Sequence, residues 1–163
     1  MSKSTLILTT MIVTMAALST GIATYAGTKV EDVIRLKDKS YKKHKEHIVM
    51  FQHKKHQEEY RKKNPDLFKS TCGECHHDKD NKALVRLKEG DNVKSCIECH
   101  KKAEYVDGKE ARRLSDKEKR ENQANAMHDN CKGCHKKFNK KKGLKSKDKD
   151  YAPSTCKTCH AKK

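Results

Sequence analysis

Four copies of one short string constrain this chain more than anything else in it. Cys72-Gly73-Glu74-Cys75-His76, Cys96-Ile97-Glu98-Cys99-His100, Cys131-Lys132-Gly133-Cys134-His135 and Cys156-Lys157-Thr158-Cys159-His160 use all eight cysteines and leave none over. Cys-x-x-Cys-His is the attachment signature of a c-type haem, in which two thiols add across the vinyl groups and the histidine ligates the iron. The spacing has a physical reason. Residues three and four apart share one face of a helical turn, so both sulfurs flank one porphyrin edge while the imidazole reaches beneath the metal. The chain is therefore expected to carry four covalent haems (heme c).

Two other chemistries use paired cysteines. Cys-x-x-Cys pairs build zinc ribbons, and two pairs per metal would make two structural zincs. An exported, thiol-rich chain can instead form disulfides. Neither explains why a histidine follows the second cysteine all four times.

Residues 1–26 read as a targeting segment. Lys3 is its only charge, Leu6 to Ala23 is an apolar run, and Thr24-Tyr25-Ala26 places small residues where a signal peptidase reads them. Cleavage before Gly27 is expected, with the mature chain exported to the periplasm, where bacterial covalent haem attachment takes place. The apolar run is near the lower length limit for a membrane span, and retained it would be an anchor.

Residues 27–163 make one domain by length, with an unusual composition. Charged residues are 37% of the chain, aromatics 5%, and tryptophan is absent. Such a composition alone resembles disorder. Domains short of apolar side chains need metals or other staples, and four flat apolar porphyrins would supply the missing core. The expected fold is mainly α and irregular, with few short helices and loops wrapped around a four-haem cluster.

Within it, Val30 to Lys39 is a weak helical or extended entry. Ile48 to Phe51 is the only apolar patch of the histidine-rich stretch Tyr41 to Gln57. Asn64-Pro65-Asp66 predicts a turn and a short helix leading to Cys72, and Gly90-Asp91-Asn92 a turn before the second motif. Ser115 to Glu118 has the capping-box pattern, which predicts one helix from there through His128 into the third motif. Phe138 to Asp150 reads as a lysine-rich loop. The first cysteines lie 24 residues apart in the first pair of motifs, 25 in the second and 35 between pairs, hinting at duplicated halves.

Ten histidines less the four of the motifs leave His44, His47, His53, His56, His77 and His128. Neighbours on a helix point about 100° apart, so His76 and His77 cannot grip one iron from opposite sides. His77 serves another haem or none. His128 precedes His135 by seven residues, roughly 10 Å along the same helix face, and cannot oppose it. His53 and His56 share a face and would serve different irons. Ligands exchanged between motifs require the haems to pack as one cluster. The alternative, solvated surface histidines in a lysine-rich chain, weighs most for His44 and His47.

Phe51-Gln52-His53-Lys54-Lys55-His56, with Tyr60 and then Cys72-Gly73-Glu74-Cys75-His76-His77, resembles the opening of the class III cytochromes c, periplasmic tetrahaem proteins of sulfate-reducing bacteria. The resemblance runs from about Val49 to His160. It implies distal ligands from His53 to haem one, His77 to haem two, His56 to haem three and His128 to haem four. His53 would then pair with His76, His77 with His100, His56 with His135, and His128 with His160. The chain departs from some members in keeping two residues between the cysteines at every site. It also has a long insert around Lys101 to Lys119 and an extra His44-x-x-His47, against which Phe51 selects the later pair.

Bis-histidine iron has no open position, so bond-making at the metal is disfavoured, and methionine, which raises potentials, is missing from both axes. The resemblance implies a non-enzymatic, monomeric carrier between periplasmic hydrogenase or formate dehydrogenase and membrane-bound redox complexes. The formal charge of +17 falls to +16 without Lys3, and eight propionates lower it to about +8. A basic surface, densest near the last two motifs, would steer towards an acidic partner. Nucleic acid fits poorly, since stacking aromatics are scarce. A membrane-anchored tetrahaem quinol dehydrogenase and a small multihaem reductase of metal ions or oxyanions are the alternatives. The first needs Leu6 to Ala23 retained, the second a five-coordinate iron.

Overall fold

The computed structural model describes residues 30–161. Residues 1–26, read from sequence as a targeting segment with cleavage expected before Gly27, and Lys162 and Lys163 lie outside the described residues. Strands β1 (Ile34–Arg35) and β2 (Met50–Phe51) form a minimal antiparallel pair in the register Ile34 to Phe51 and Arg35 to Met50. The entry segment is thus extended where it meets the apolar patch. The chain then coils through a π-helical stretch, Lys55–Tyr60, into the short helix α1 (Arg61–Lys63). Pro65–Leu67 and Thr71–Glu74 are single 3₁₀ turns, the second containing Cys72.

Five helices follow: α2 (Cys96–Cys99), α3 (Gly108–Arg113), α4 (Asp116–Arg120), α5 (Gln123–Lys142) and α6 (Cys156–Cys159). This is the small, mainly helical and irregular fold expected. Two boundaries differ from the sequence reading. The helix beginning at Ser115 stops at Arg120, and Asn122 is extended with φ −85° and ψ 121°. Lys102 causes the break: its N–H donates to Glu121 O (3.1 Å) and its carbonyl accepts from Gln123 N–H (2.9 Å), diverting that amide from the helix ladder. In addition, α5 continues to Lys142, through the first part of the stretch read as a loop. Residues 134–142 contain neither proline nor a β-branched residue, and lysines near a helix C-terminus complement its dipole. The stop is Gly143, at φ +65°, with Leu144 N–H returning to Asn139 O at 2.9 Å, the usual left-handed helix end.

Among the described residues Val106 is the only buried hydrophobic one, and no side chain is fully buried. The side-chain amides of α5 do some of the joining instead. Asn125 Nδ2 donates to Val106 O (2.8 Å) while its Oδ1 accepts from Val106 N–H (3.0 Å). Fourteen residues on, Asn139 grips Ala152 the same way, at 2.9 and 2.8 Å. Fourteen residues is close to four helical turns, so both clamps lie near one face of α5. The suggested duplication has no counterpart in the elements, because only the third motif sits inside a long helix.

Candidate functional site

Each motif is held on a tight helical turn, and three of the four use the same local device. Glu74 accepts from Ser70 N–H at 2.8 Å, Glu98 from Ser95 N–H at 2.7 Å, and Thr158 Oγ1 from Thr155 N–H at 3.1 Å. These are capping interactions, which satisfy amides that a helix start leaves free. The third motif needs none, being interior to α5. Gly73 is required by close approach: a Cβ there would lie 3.0 Å from Ala83 Cβ and 3.0 Å from Leu84 N. That contact matters because Leu84 N–H donates to His76 O (2.9 Å), fixing the segment that also bridges His77 to Ala83.

None of the eight cysteines is in a disulfide, and one thiol from each of the other motifs lies near Cys131. Burial pushes the Cys131 thiol up to about 11, with the thiols of Cys159, Cys96 and Cys134 adding to the rise. Burial pushes Cys75 up further, to about 12, and Cys131 and Cys134 face it. Thiols from all four motifs therefore lie within electrostatic reach around Cys131.

The histidines come in twos. His53 faces His76 with ring centres 6.4 Å apart, His77 faces His100 at 6.0 Å, His56 faces His135 at 6.1 Å, and His128 faces His160 at 6.1 Å. A metal–imidazole bond of about 2.0 Å and a ring-nitrogen-to-centre distance of about 1.1 Å, each taken twice, put trans-ligating ring centres about 6.2 Å apart. All four gaps match one iron between two imidazoles. Among the described residues no three His, Cys, Asp or Glu side chains gather as an ion-binding group.

Backbone oxygens hold Nδ1 in five of these eight rings. Nδ1 of His56 lies 2.9 Å from Gln52 O, that of His77 2.8 Å from Asp78 O, that of His135 2.5 Å from Pro153 O, and that of His160 2.6 Å from His47 O. His100 Nδ1 meets Arg120 O in the same way. A carbonyl can only accept, so Nδ1 carries the proton and Nε2 keeps its lone pair for a metal. His53, His76 and His128 have no such contact; in His128 the Nδ1 is buried without a hydrogen-bond partner, although the Ala124 carbonyl one turn back still favours its charged form. Burial, the first cause in each case, holds His56, His76 and His128 below the ordinary histidine range, so these rings favour the neutral, ligating form.

His44 stacks on Tyr41 at 5.5 Å, and His47 contributes only its carbonyl, to His160. Sequence reading passed over the residues whose carbonyls hold Nδ1, because a carbonyl has no residue-type signature. It also missed Tyr105, in the long insert, whose ring is 4.9 Å from His128. An open cleft of about 230 Å³ between Tyr105, His128 and Lys132 lies alongside. The donor set, its spacing and its tautomers all fit covalent haem.

A family model described as the class III cytochrome c family matches residues 30–160. No curated protein and no solved structure matches the chain.

Proposed function

Since the chain belongs to the class III cytochrome c family, we propose that it is a periplasmic electron carrier with four low-potential, bis-histidine c-type haems. Covalent c-type haem and electron transport come with the family; the number of haems and the ligands rest on this chain's residues. The observation that carries the reading is the set of four facing histidine pairs, each combining one motif histidine with a histidine from elsewhere. Cys72 and Cys75 would hold the haem ligated by His76 and His53, and Cys96 and Cys99 that of His100 and His77. Cys131 and Cys134 would hold the haem of His135 and His56, and Cys156 and Cys159 that of His160 and His128.

Bound haem supplies a one-electron ferric/ferrous couple. The residues determine how that couple is used. Imidazoles on both sides leave no position for a substrate, which favours electron transfer over bond-making. Carbonyl acceptors on Nδ1 strengthen the imidazoles as donors and so favour the ferric state. Exposed lysines offer a docking surface for acidic partners, and the partners we propose are hydrogenase or formate dehydrogenase on one side and membrane-bound redox complexes on the other. The segment 1–26 is proposed as the export signal, removed before Gly27.

A pyridine haemochrome assay combined with intact mass tests the reading. Four haems per chain and a mass starting near Gly27 are expected. Two or three haems would refute the ligand set, and a retained segment 1–26 would favour an anchored quinol dehydrogenase. High-spin ferric signals would favour the reductase.

A further inference from the structure

We infer that Asn139 is a positioning residue for His135, setting the acceptor on that ring's Nδ1 from the helix that carries it. The inference rests on the reading of His135 as an axial ligand. Asn139 is 5% exposed, so its amide is committed to protein partners. Those partners are both backbone groups of Ala152, with Nδ2 donating at 2.9 Å and Oδ1 accepting at 2.8 Å. A side-chain amide offers the same donor–acceptor edge as a peptide group, so Ala152 is held as a neighbouring strand would hold it.

The next residue supplies the functional contact: Pro153 O accepts from His135 Nδ1 at 2.5 Å. Proline restricts the residue before it to extended conformations and has a fixed φ of its own. A displacement at Ala152 therefore passes to the Pro153 carbonyl with few soft torsions to absorb it. Asn139 and His135 are four residues apart on α5 and share a face, so clamp and ligand move as one body. Within the segment, the Tyr151 hydroxyl also lies 2.7 Å from Ser154 Oγ.

Loss of the clamp lets the carbonyl drift and weakens the hydrogen bond that strengthens His135 as a donor. Less support for the ferric state raises that haem's potential. A purely structural role would lower the melting temperature and leave the haem's potential where it was.

The test is a haem-resolved redox titration of the intact holoprotein, following each low-spin signal separately, on the neutral variants Asn139→Leu and Asn139→Gln. The haem proposed at Cys131 and Cys134 should show a several-fold lower ferric/ferrous ratio at fixed potential in Asn139→Leu. In Asn139→Gln, which keeps an amide one methylene further out and adds no charge, the shift should have the same sign and be smaller. Asn125→Leu removes a similar clamp elsewhere on α5 and should leave this haem unmoved. If Asn139→Leu does not fold, Asn139→Gln alone decides. An unmoved potential in a folded variant, or equal shifts at all four haems, overturns the inference. Absence of a bis-histidine signature at that haem in the unsubstituted protein would instead overturn the ligand assignment beneath it.

Discussion

His56 and His135 face each other with ring planes 26° apart, much nearer to parallel than any other pair. The remaining three stand at 57°, 65° and 70°. Parallel and crossed imidazoles split the ferric d orbitals differently, parallel rings giving rhombic low-spin spectra and crossed rings a single large g value. Of the four proposed haems, the one at Cys131 and Cys134 should therefore give the most rhombic low-spin signal. Frozen-solution spectra taken through a redox titration, assigned with single-ligand variants, check the order. A rhombic signal from the His77–His100 haem would contradict the observed planes.

Exchange of ligands between motifs makes a sharp prediction for His77. It follows His76 in sequence, yet its ring faces His100. His77→Met should raise the potential of the haem at Cys96 and Cys99 and leave the haem at Cys72 and Cys75 close to its original value. If the haem beside it in sequence is the one perturbed, the pairing fails.

Val106 is the only buried hydrophobic residue described, so the proposed haems would supply the core. Cys75→Ala or Cys99→Ala, each removing one thioether, should lower the melting temperature of the whole protein and speed proteolysis throughout. A variant that lost its haem and still resisted protease would sink this idea.

The start of α4 should be sensitive to pH. Hydrogen bonds from Ser115 to the Glu118 carboxylate hold its pKa below the ordinary 4.5. A carboxyl depressed in the folded state adds stability above its unfolded value and loses it as pH falls through the folded one. The melting temperature of the protein should exceed that of Glu118→Gln at pH 6, and the gap should close well below pH 4.5. A gap independent of pH would show that the carboxylate charge does not contribute. Because α4 ends at Arg120, whose carbonyl holds His100, the haem at Cys96 and Cys99 should be the one most disturbed by that loss.

If an acidic partner docks at the lysines around the fourth motif, Lys157, Lys162 and Lys163, its rate should depend on salt. Reversing Lys157, Lys162 and Lys163 to glutamate should slow reduction by hydrogenase several-fold at low salt. The difference should shrink once screening lengths fall below about 8–10 Å. Reversal of Lys109, Lys117 and Lys119 in the insert is the control for net charge. Equal slowing by both triple variants would mean that only overall charge matters.

Covalent chemistry was easy to read in this sequence because it demands residue types at fixed spacing. The cysteine strings and the exclusion of His76 and His77 from one iron needed only helical geometry. The lack of an apolar core was visible in composition. The length of α5 was harder, since a dense run of lysines is compatible with both loop and helix, and only Gly143 marks the end. The break at Asn122 could not be seen locally, for Lys102, twenty residues earlier in the chain, makes it. Tyr105 beside His128 and the clamps of Asn125 and Asn139 depend on where loops return, which no periodicity encodes.

The carbonyls that hold Nδ1 of His56, His77, His100, His135 and His160 belong to Gln52, Asp78, Arg120, Pro153 and His47. A point mutation exchanges a side chain and leaves the peptide oxygen in place. Four of those positions can therefore drift in residue type, within the limits of local conformation, without erasing the contact on the histidine, whereas Pro153 is held by the fixed φ of proline. Selection on redox properties would act on chain path rather than on identity there. That latitude would let the basic surface change while the proposed haem ligands keep the same support.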